Sequence, residues 1–402
     1  MAGKVRKNEY EITIPRVIHA LPSMKRLHII SAGYLFASLA LFLFSYTQVD
    51  LNLTLSRVSV WQGIQKAFQY VGFYERPLAL GLYIGIVSIF FILYISVLSS
   101  VKRGQISIKS LWKVIFLIAG LLVFSYPAAF SYDFFNYLFT AKTVLVYHQN
   151  PYAVTPLQFA SIDPWTNFMR WTHLSSAYTP LWIGLSLIPY VIGFGYFITV
   201  LFATKWMIAG FYLLAAYMLM RTVEKVSPKY TSYALALFAC NPLILIEALV
   251  SGHNDIVLVS FAMVSVFAYF SKQSLLSFWY LGLSIATKLM TIFLLPVYML
   301  QKGRGWMVIS MLIGVGLVLI RREFLPWYWV WVIPFVALNA EVTRLIRFMI
   351  CVSLGLVLSY APFIYFGEYS SLEQVWKTGL IWGGVGMGLI TAALPIKKDS
   401  VA

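Results

Sequence analysis

Apolar residues run through this chain in long blocks, separated by short polar or basic segments. A membrane-crossing helix needs about 20 apolar residues. Full-length candidates lie at 28–47, 78–99, 112–130, 196–220, 231–250, 254–271, 305–320, 344–366 and 377–395. Shorter blocks at 180–194, 274–287, 289–300 and 327–338 read as half-helices or tight hairpins. The pattern predicts an all-α membrane protein, a polytopic helical bundle of about 11–13 membrane segments. A large loop, 131–179, follows the third helix. Residues 51–77 are amphipathic and are expected to lie along the membrane interface. Four regions follow: a polar tail at 1–27, an N-terminal hairpin with its interfacial segment at 28–111, a central module at 112–340, and a C-terminal hairpin with a tail at 341–402.

Composition narrows the class. Of 402 residues, 60% are hydrophobic, 17% aromatic and only 11% charged, against about 25% charged in soluble chains. That excludes a soluble enzyme, a disordered chain and a disulfide scaffold. The run from His28 to Tyr46 exceeds the roughly 7–15 residues of a cleavable signal core, so it reads as a first crossing with a cytoplasmic start. The two cysteines, Cys240 and Cys351, sit in apolar runs without metal-ligand spacing.

The net charge of +16 arises from 30 Lys and Arg against 14 Asp and Glu. The basic residues cluster before residue 28, at Lys102–Lys113, Arg221–Lys229, Lys272, Lys302–Arg304, Arg344–Arg347 and Lys397–Lys398. The positive-inside rule places these clusters, and both termini, in the cytoplasm of a multi-pass cell-membrane protein. The loops 50–77, 131–179, 248–254, 321–327 and 367–376 then face outward. Membrane lipids rather than nucleic acid are the partners of this charge. Parity requires an odd number of crossings between the loop at 131–179 and Arg221, yet two apolar blocks, 180–194 and 196–220, lie between them. Either the first is no full crossing or the second is broken near Lys205.

Several polar residues interrupt the apolar pattern. Asp133 follows an apolar helix at its outer end, beside Ser131 and Tyr132. A carboxylate at a membrane rim is partly desolvated and hence more basic, which suits a general base; the same position also suits a helix cap. Tyr137 lies four residues on and shares its helical face. Asn150-Pro151-Tyr152 reads as a turn, and Tyr178-Thr179-Pro180 as a helix start. Ser251-Gly252-His253-Asn254-Asp255, with Glu247 one turn earlier, is the densest polar cluster between two apolar runs. Ionisable groups at membrane depth are costly and mark function. Lys288 interrupts the run GLSIATKLMTIFLLP and is expected to face a cavity or an anion, a phosphate being a natural partner; snorkelling to the interface is the plainer account. Lys205 lies inside an apolar run without a turn signal. Arg321 and Arg322 precede Pro326-Trp327-Tyr328-Trp329, on the side where the charge rule expects few cations, which suggests an anionic ligand.

Phosphate loops, dinucleotide fingerprints and HExxH motifs are absent from the sequence. The order of SYDFFNYLFTAKTVLVYHQNPY (131–152), AYTPLW (177–182), SGHND (251–255), GLSIATK (282–288) and PWYW (326–329) resembles the integral-membrane glycosyltransferases of the GT-C superfamily. It is most similar to the polyprenyl-phosphate-mannose-dependent mannosyltransferases, over roughly residues 112–340. The resemblance implies a bundle whose first large outer loop carries the catalytic acid, here Asp133. It implies a polyprenyl-phosphate sugar donor and transfer of a hexose, mannose by likeness, to a glycan or glycolipid on the outer face. Relatives often carry a second acidic residue within two positions; here Tyr132, Phe134 and Phe135 stand instead, which argues against a metal role for this loop. No cofactor is expected, and a divalent metal is left open.

In this reading a single displacement inverts the anomeric centre, with Asp133 taking the acceptor proton. Lys288, Arg321, Arg322 and His253 are the candidates for the donor phosphate, and Tyr137, Asn150, Tyr152, Asp255 and Tyr178 for the substrates. The competing readings are a transporter or flippase for lipid-linked sugars, using the same cations without a base, and a non-catalytic scaffold subunit.

Overall fold

The computed structural model describes residues 20–395; most of the basic N-terminal tail and the Lys397–Lys398 pair lie outside them. Among the described residues there is no strand, and the helices form a polytopic bundle. Helix α1 (Ala20–Thr47) pairs with α3 (Arg76–Lys102), and α2 (Ser59–Phe73) joins them. This α2 is the amphipathic segment: Trp61, Ile64 and Tyr70 are exposed, while Gln69 turns inward and donates to the carbonyls of Val49 and Asp50. Helix α4 (Ile108–Leu122) leads to α5 (Asp133–Leu145). After the long loop come α6 (Pro180–Ile192), α7 (Phe197–Val226), α8 (Thr231–Ala239) and α9 (Pro242–Ile244), which runs into a π-helical turn at Leu245–Val250.

Helices α10 (Asp255–Phe270) and α11 (Ser274–Thr287) form a hairpin. A 3-10 stretch at Leu289–Leu294 then precedes α12 (Leu295–Met299) and α13 (Arg304–Leu319). The chain closes with α14 (Pro326–Val330), α15 (Ile333–Leu338), α16 (Thr343–Leu358), α17 (Ala361–Phe366) and α18 (Ser371–Ala393). Two ends of the bundle result. One, the loop end, gathers the 146–179 loop and the turns at 251–254 and 321–325. The other gathers the basic turns at Lys102, Arg221, Lys272 and Lys302.

The spans are less uniform than the apolar runs suggest. Among the described residues, four helical stretches are long and apolar enough to cross alone: Lys25–Thr47, Arg76–Lys102, Phe197–Val226 and Thr343–Phe366, the last made of α16 and α17. The helices Pro228–Ala239 and Pro242–Val250 are long and apolar enough to cross only when taken together, with a 47° bend between them. The runs 112–130 and 254–271 are shorter as helices, 305–320 forms a helix of only 16 residues, and 377–395 starts earlier, at Ser371, where the Ser370 hydroxyl accepts the Glu373 N–H. Broken backbone at membrane depth is stable where protein buries it and side chains satisfy its polar groups. At the break before Pro242, the buried Asn241 side chain accepts the Leu243 N–H and reaches the hydroxyls of Tyr94 and Ser353.

The parity question also has an answer. Helix α6 has 13 residues, about 20 Å at 1.5 Å per residue, too short for a hydrocarbon core of about 30 Å. Both of its ends touch loop-end elements: the Thr179 hydroxyl donates to Thr287 O, and the Tyr190 ring meets Trp165. Helix α7 continues through Lys205 without a break. One crossing, α7, therefore connects the loop to Arg221.

Helices α16 and α18 approach backbone to backbone. A Cβ at Gly384 would lie 2.8 Å from Gly355 Cα and 2.9 Å from Cys351 O. Small residues permit such close helix contact in lipid, where packing rather than hydrophobic burial drives association. Gly384→Leu is therefore expected to separate α18 from α16 and to cost about 1–3 kcal/mol by overpacking. Thermal unfolding in detergent should show a lowered midpoint, while Gly383→Leu, at a position with open space, should not.

Candidate active site

The first turn of α5 carries Asp133, whose own N–H is directed at the Ser131 hydroxyl. Tyr132 at the N-cap makes no side-chain cap. Its side chain is 27% exposed and lines a cavity of about 1270 Å³ at the loop end. Burial pushes its carboxyl up to about 6; Lys288 opposes that rise, Asp255 adds to it and the Trp171 side chain opposes it.

The turn after the π-helical segment sets the wall behind Asp133. Lys205, buried within α7, donates its ammonium protons to the carbonyls of Leu249 and Val250, satisfying groups that the helix end leaves free. Gly252 follows with φ +69°, and a Cβ there would lie 2.7 Å from the Phe134 ring. Both the left-handed backbone and the contact with α5 require glycine. His253 is thereby set 2% exposed, with Nδ1 4.0 Å from Asp133 Oδ2 and Nε2 3.4 Å from Glu247 Oε2. Burial and the Lys288 charge push the imidazole down to about 3, so it is neutral. Its ring stacks on Trp327 at 4.3 Å.

Asp255 opens α10 and is 1% exposed. Its Oδ1 accepts from Lys288 Nζ at 2.8 Å and from Trp331 Nε1 at 2.5 Å. Lys288 sits where α11 gives way to the 3-10 stretch, its own backbone extended. Its side chain is 34% exposed and lines the cavity. Tyr137 OH meets the N–H and Oδ1 of Asn254 at 3.4 Å, and its ring packs edge-on against Tyr178 and Trp182.

The structure thus gathers Asp133, Tyr137, Tyr178, Lys288, Arg321 and Arg322 around one cavity. Arg321 and Arg322 lie on the exposed turn after α13. Other candidates stand elsewhere. His253 and Asp255 are not on the cavity wall; the first faces Asp133 and Glu247, the second is spent on Lys288 and Trp331. Asn150 and Tyr152 are exposed outside the lining: the Asn150 side chain accepts the Tyr152 N–H, and the Tyr152 hydroxyl donates to Tyr178 O. They shape the loop that carries Tyr178.

Other wall residues were not among the candidates drawn from the sequence. Arg76 and Arg170 line the cavity from α2–α3 and the loop, Arg76 donating to Ile364 O and Arg170 lying over the Tyr132 ring. Only the three-dimensional fold brings them there. Glu247 did carry a signal, an acid within the apolar run LILIEALV. Among the described residues no group of three His, Cys, Asp and Glu side chains could hold a metal ion.

Residues 35–304 match the family described as Alpha-(1->6)-mannopyranosyltransferase, N-terminal domain. The match covers most of the chain, which therefore belongs to this family, and mannosyl transfer at a membrane is its activity. Comparison with curated proteins and with solved structures found no match.

Removing Lys288 would leave the Asp255 carboxylate buried without its counter-ion. Lys288→Met is expected to destabilise the protein by about 3 kcal/mol, read as a lowered unfolding temperature in detergent. Adding Asp255→Asn to Lys288→Met should recover most of that loss, since the amide oxygen still accepts from Trp331.

Proposed function

We propose that this mannosyltransferase draws its sugar from a polyprenyl-phosphate donor and passes it to a glycan or glycolipid acceptor by a single inverting displacement, with Asp133 as the base. The observation that carries this reading is the shared cavity. Its walls hold the partly exposed carboxylate of Asp133, of raised basicity, together with the cations Lys288, Arg321 and Arg322. Beside those cations the lining turns apolar, through Met290, Phe293, Leu317 and Val318. A basic mouth next to an apolar wall between the 3-10 stretch and α13 suits a phosphate with a hydrocarbon tail.

The chemistry needs little else. The acceptor hydroxyl oxygen attacks the anomeric carbon, its proton goes to Asp133, and the C1–O bond breaks with its electron pair moving to the phosphate. That leaving group departs as a stable anion, so no general acid is required. Cations held at the phosphate stabilise the charge that develops there. The half-buried ring of Tyr178 offers a stacking surface for a sugar ring. The charge rule places this cavity on the outer face, where a lipid-linked sugar rather than a nucleotide sugar is at hand.

Asp133→Asn is expected to abolish mannosyl transfer from polyprenyl-phosphate-mannose in proteoliposomes while the protein still folds and inserts; retained transfer would remove Asp133 from the mechanism, and lipid translocation without a covalent product would favour a flippase. Because the base must be unprotonated to act, kcat/KM should rise with pH and reach half its plateau near pH 6, the range to which burial lifts this carboxyl. Arg321→Ala and Arg322→Ala should raise the donor KM more than they lower kcat; an unchanged donor KM in both would take the phosphate away from this turn.

A further inference from the structure

The buried chain behind Asp133 has no part in the displacement as described. It runs from Asp133 Oδ2 to His253 Nδ1 at 4.0 Å, from His253 Nε2 to Glu247 Oε2 at 3.4 Å, and from Glu247 Oε1 to the Tyr360 hydroxyl, which donates at 2.8 Å. His253 and Glu247 are 2% and 1% exposed. Neither His253 Nε2 nor Glu247 Oε2 has a hydrogen-bond partner apart from the near approach they make to each other. Trp327, whose ring covers His253, lines the cavity in its place.

Two proton arrangements fit this chain. With Glu247 ionised, the His253 proton sits on Nε2. The Nδ1 lone pair then points at the Asp133 carboxylate, and a second negative charge lies buried with Lys288 already paired to Asp255. With Glu247 protonated, Oε2–H donates to Nε2 and the His253 proton is forced onto Nδ1, facing Asp133. Only the second leaves no buried charge without a counter-ion and no lone pair against a carboxylate.

We propose that His253 is a positioning residue for the base: Glu247, held by Tyr360, donates to Nε2 and fixes the tautomer whose Nδ1–H is aimed at the Asp133 carboxylate. This rests on the reading of Asp133 as the base. The neutral imidazole orients the carboxylate toward the acceptor and favours its charged form without taking its proton, as second partners of catalytic groups do. The separation of 4.0 Å is that of the substrate-free site, and such catalytic contacts shorten in the reacting complex. His253 is thereby removed from the set of phosphate ligands.

The test uses the full chain in proteoliposomes with polyprenyl-phosphate-mannose as donor. His253→Phe, which keeps the stack on Trp327, should lower kcat by about tenfold or more, leave the donor KM within about twofold and move the acidic limb of the kcat/KM profile to higher pH. Glu247→Gln should recover at least about ten times the kcat of Glu247→Leu, because the amide still accepts from Tyr360 and donates to Nε2. An unchanged kcat and pH profile in His253→Phe would overturn the proposal, as would a change in donor KM alone, which would return His253 to the phosphate. Glu247→Gln as impaired as Glu247→Leu would overturn the tautomer. An active Asp133→Asn would instead strike the base itself, and so separates the two claims.

Discussion

The loop end of this bundle is organised around one buried carboxylate that cannot be left alone. Asp255 lies at the start of α10 and is held by the Lys288 ammonium and the Trp331 indole. Asp255 and its two partners come from three separate helical segments, so their meeting fixes α10, the end of α11 and α14–α15 relative to one another. An isolated charge in such surroundings costs several kcal/mol, and pairing with added hydrogen bonds is what makes it tolerable. The break in the helix at Lys288 follows from the same demand. A continuous helix would keep Lys288 in register with the apolar face of α11, whereas the extended residue there lets the ammonium reach Asp255 and the cavity together.

A second constraint shapes the opposite wall. The π-helical turn at Leu245–Val250 ends with carbonyls that its own helix cannot satisfy, and Lys205 from α7 supplies the donors. The chain then reverses at Gly252, whose backbone and contact with Phe134 admit no side chain. These two features bury Glu247 and His253 behind the cavity wall and aim the imidazole at Asp133 of α5. An irregular turn and a lysine buried in an apolar helix are both costly in isolation. Together they place a rigid polar group behind Asp133, the kind of support that keeps a reacting group within its working geometry.

The bundle itself was legible in the sequence, because an apolar run long enough to cross a bilayer has few other uses. Asp133, Lys288, Arg321 and Arg322 stood out because each breaks such a run or follows it at an unexpected place, and all four line one cavity. What could not be read was which side of a residue faces the cavity. His253 and Asp255 occupy the same short motif as Asn254, yet only Asn254 reaches the lining. Their inward turn depends on Glu247, Lys288 and Trp331, distant in sequence. Helix lengths were misread for a related reason. Hydropathy counts apolar residues and does not see that protein, rather than lipid, surrounds a break such as that at Asn241. The place of α6 was open for the same reason, since thirteen apolar residues look alike whether they lie along an interface or descend partway into the bundle.

The position of Lys288 bears on how one cation can serve both fold and reaction. An ammonium has three N–H donors. One is directed to Asp255, the Trp331 ring lies 5.5 Å away, and about a third of the side chain stays open to the cavity. A phosphate arriving there does not need to displace Asp255, so the fold keeps its counter-ion while the ligand gains a charge-assisted bond. Arg321 and Arg322 sit on an exposed turn, which on the proposed function lets them follow a phosphate as the C1–O bond lengthens. The division is physically sensible. In the proposed reaction the cation tied to the buried carboxylate sets where the anomeric carbon stops relative to Asp133, and the exposed arginines absorb the charge that appears when the bond breaks.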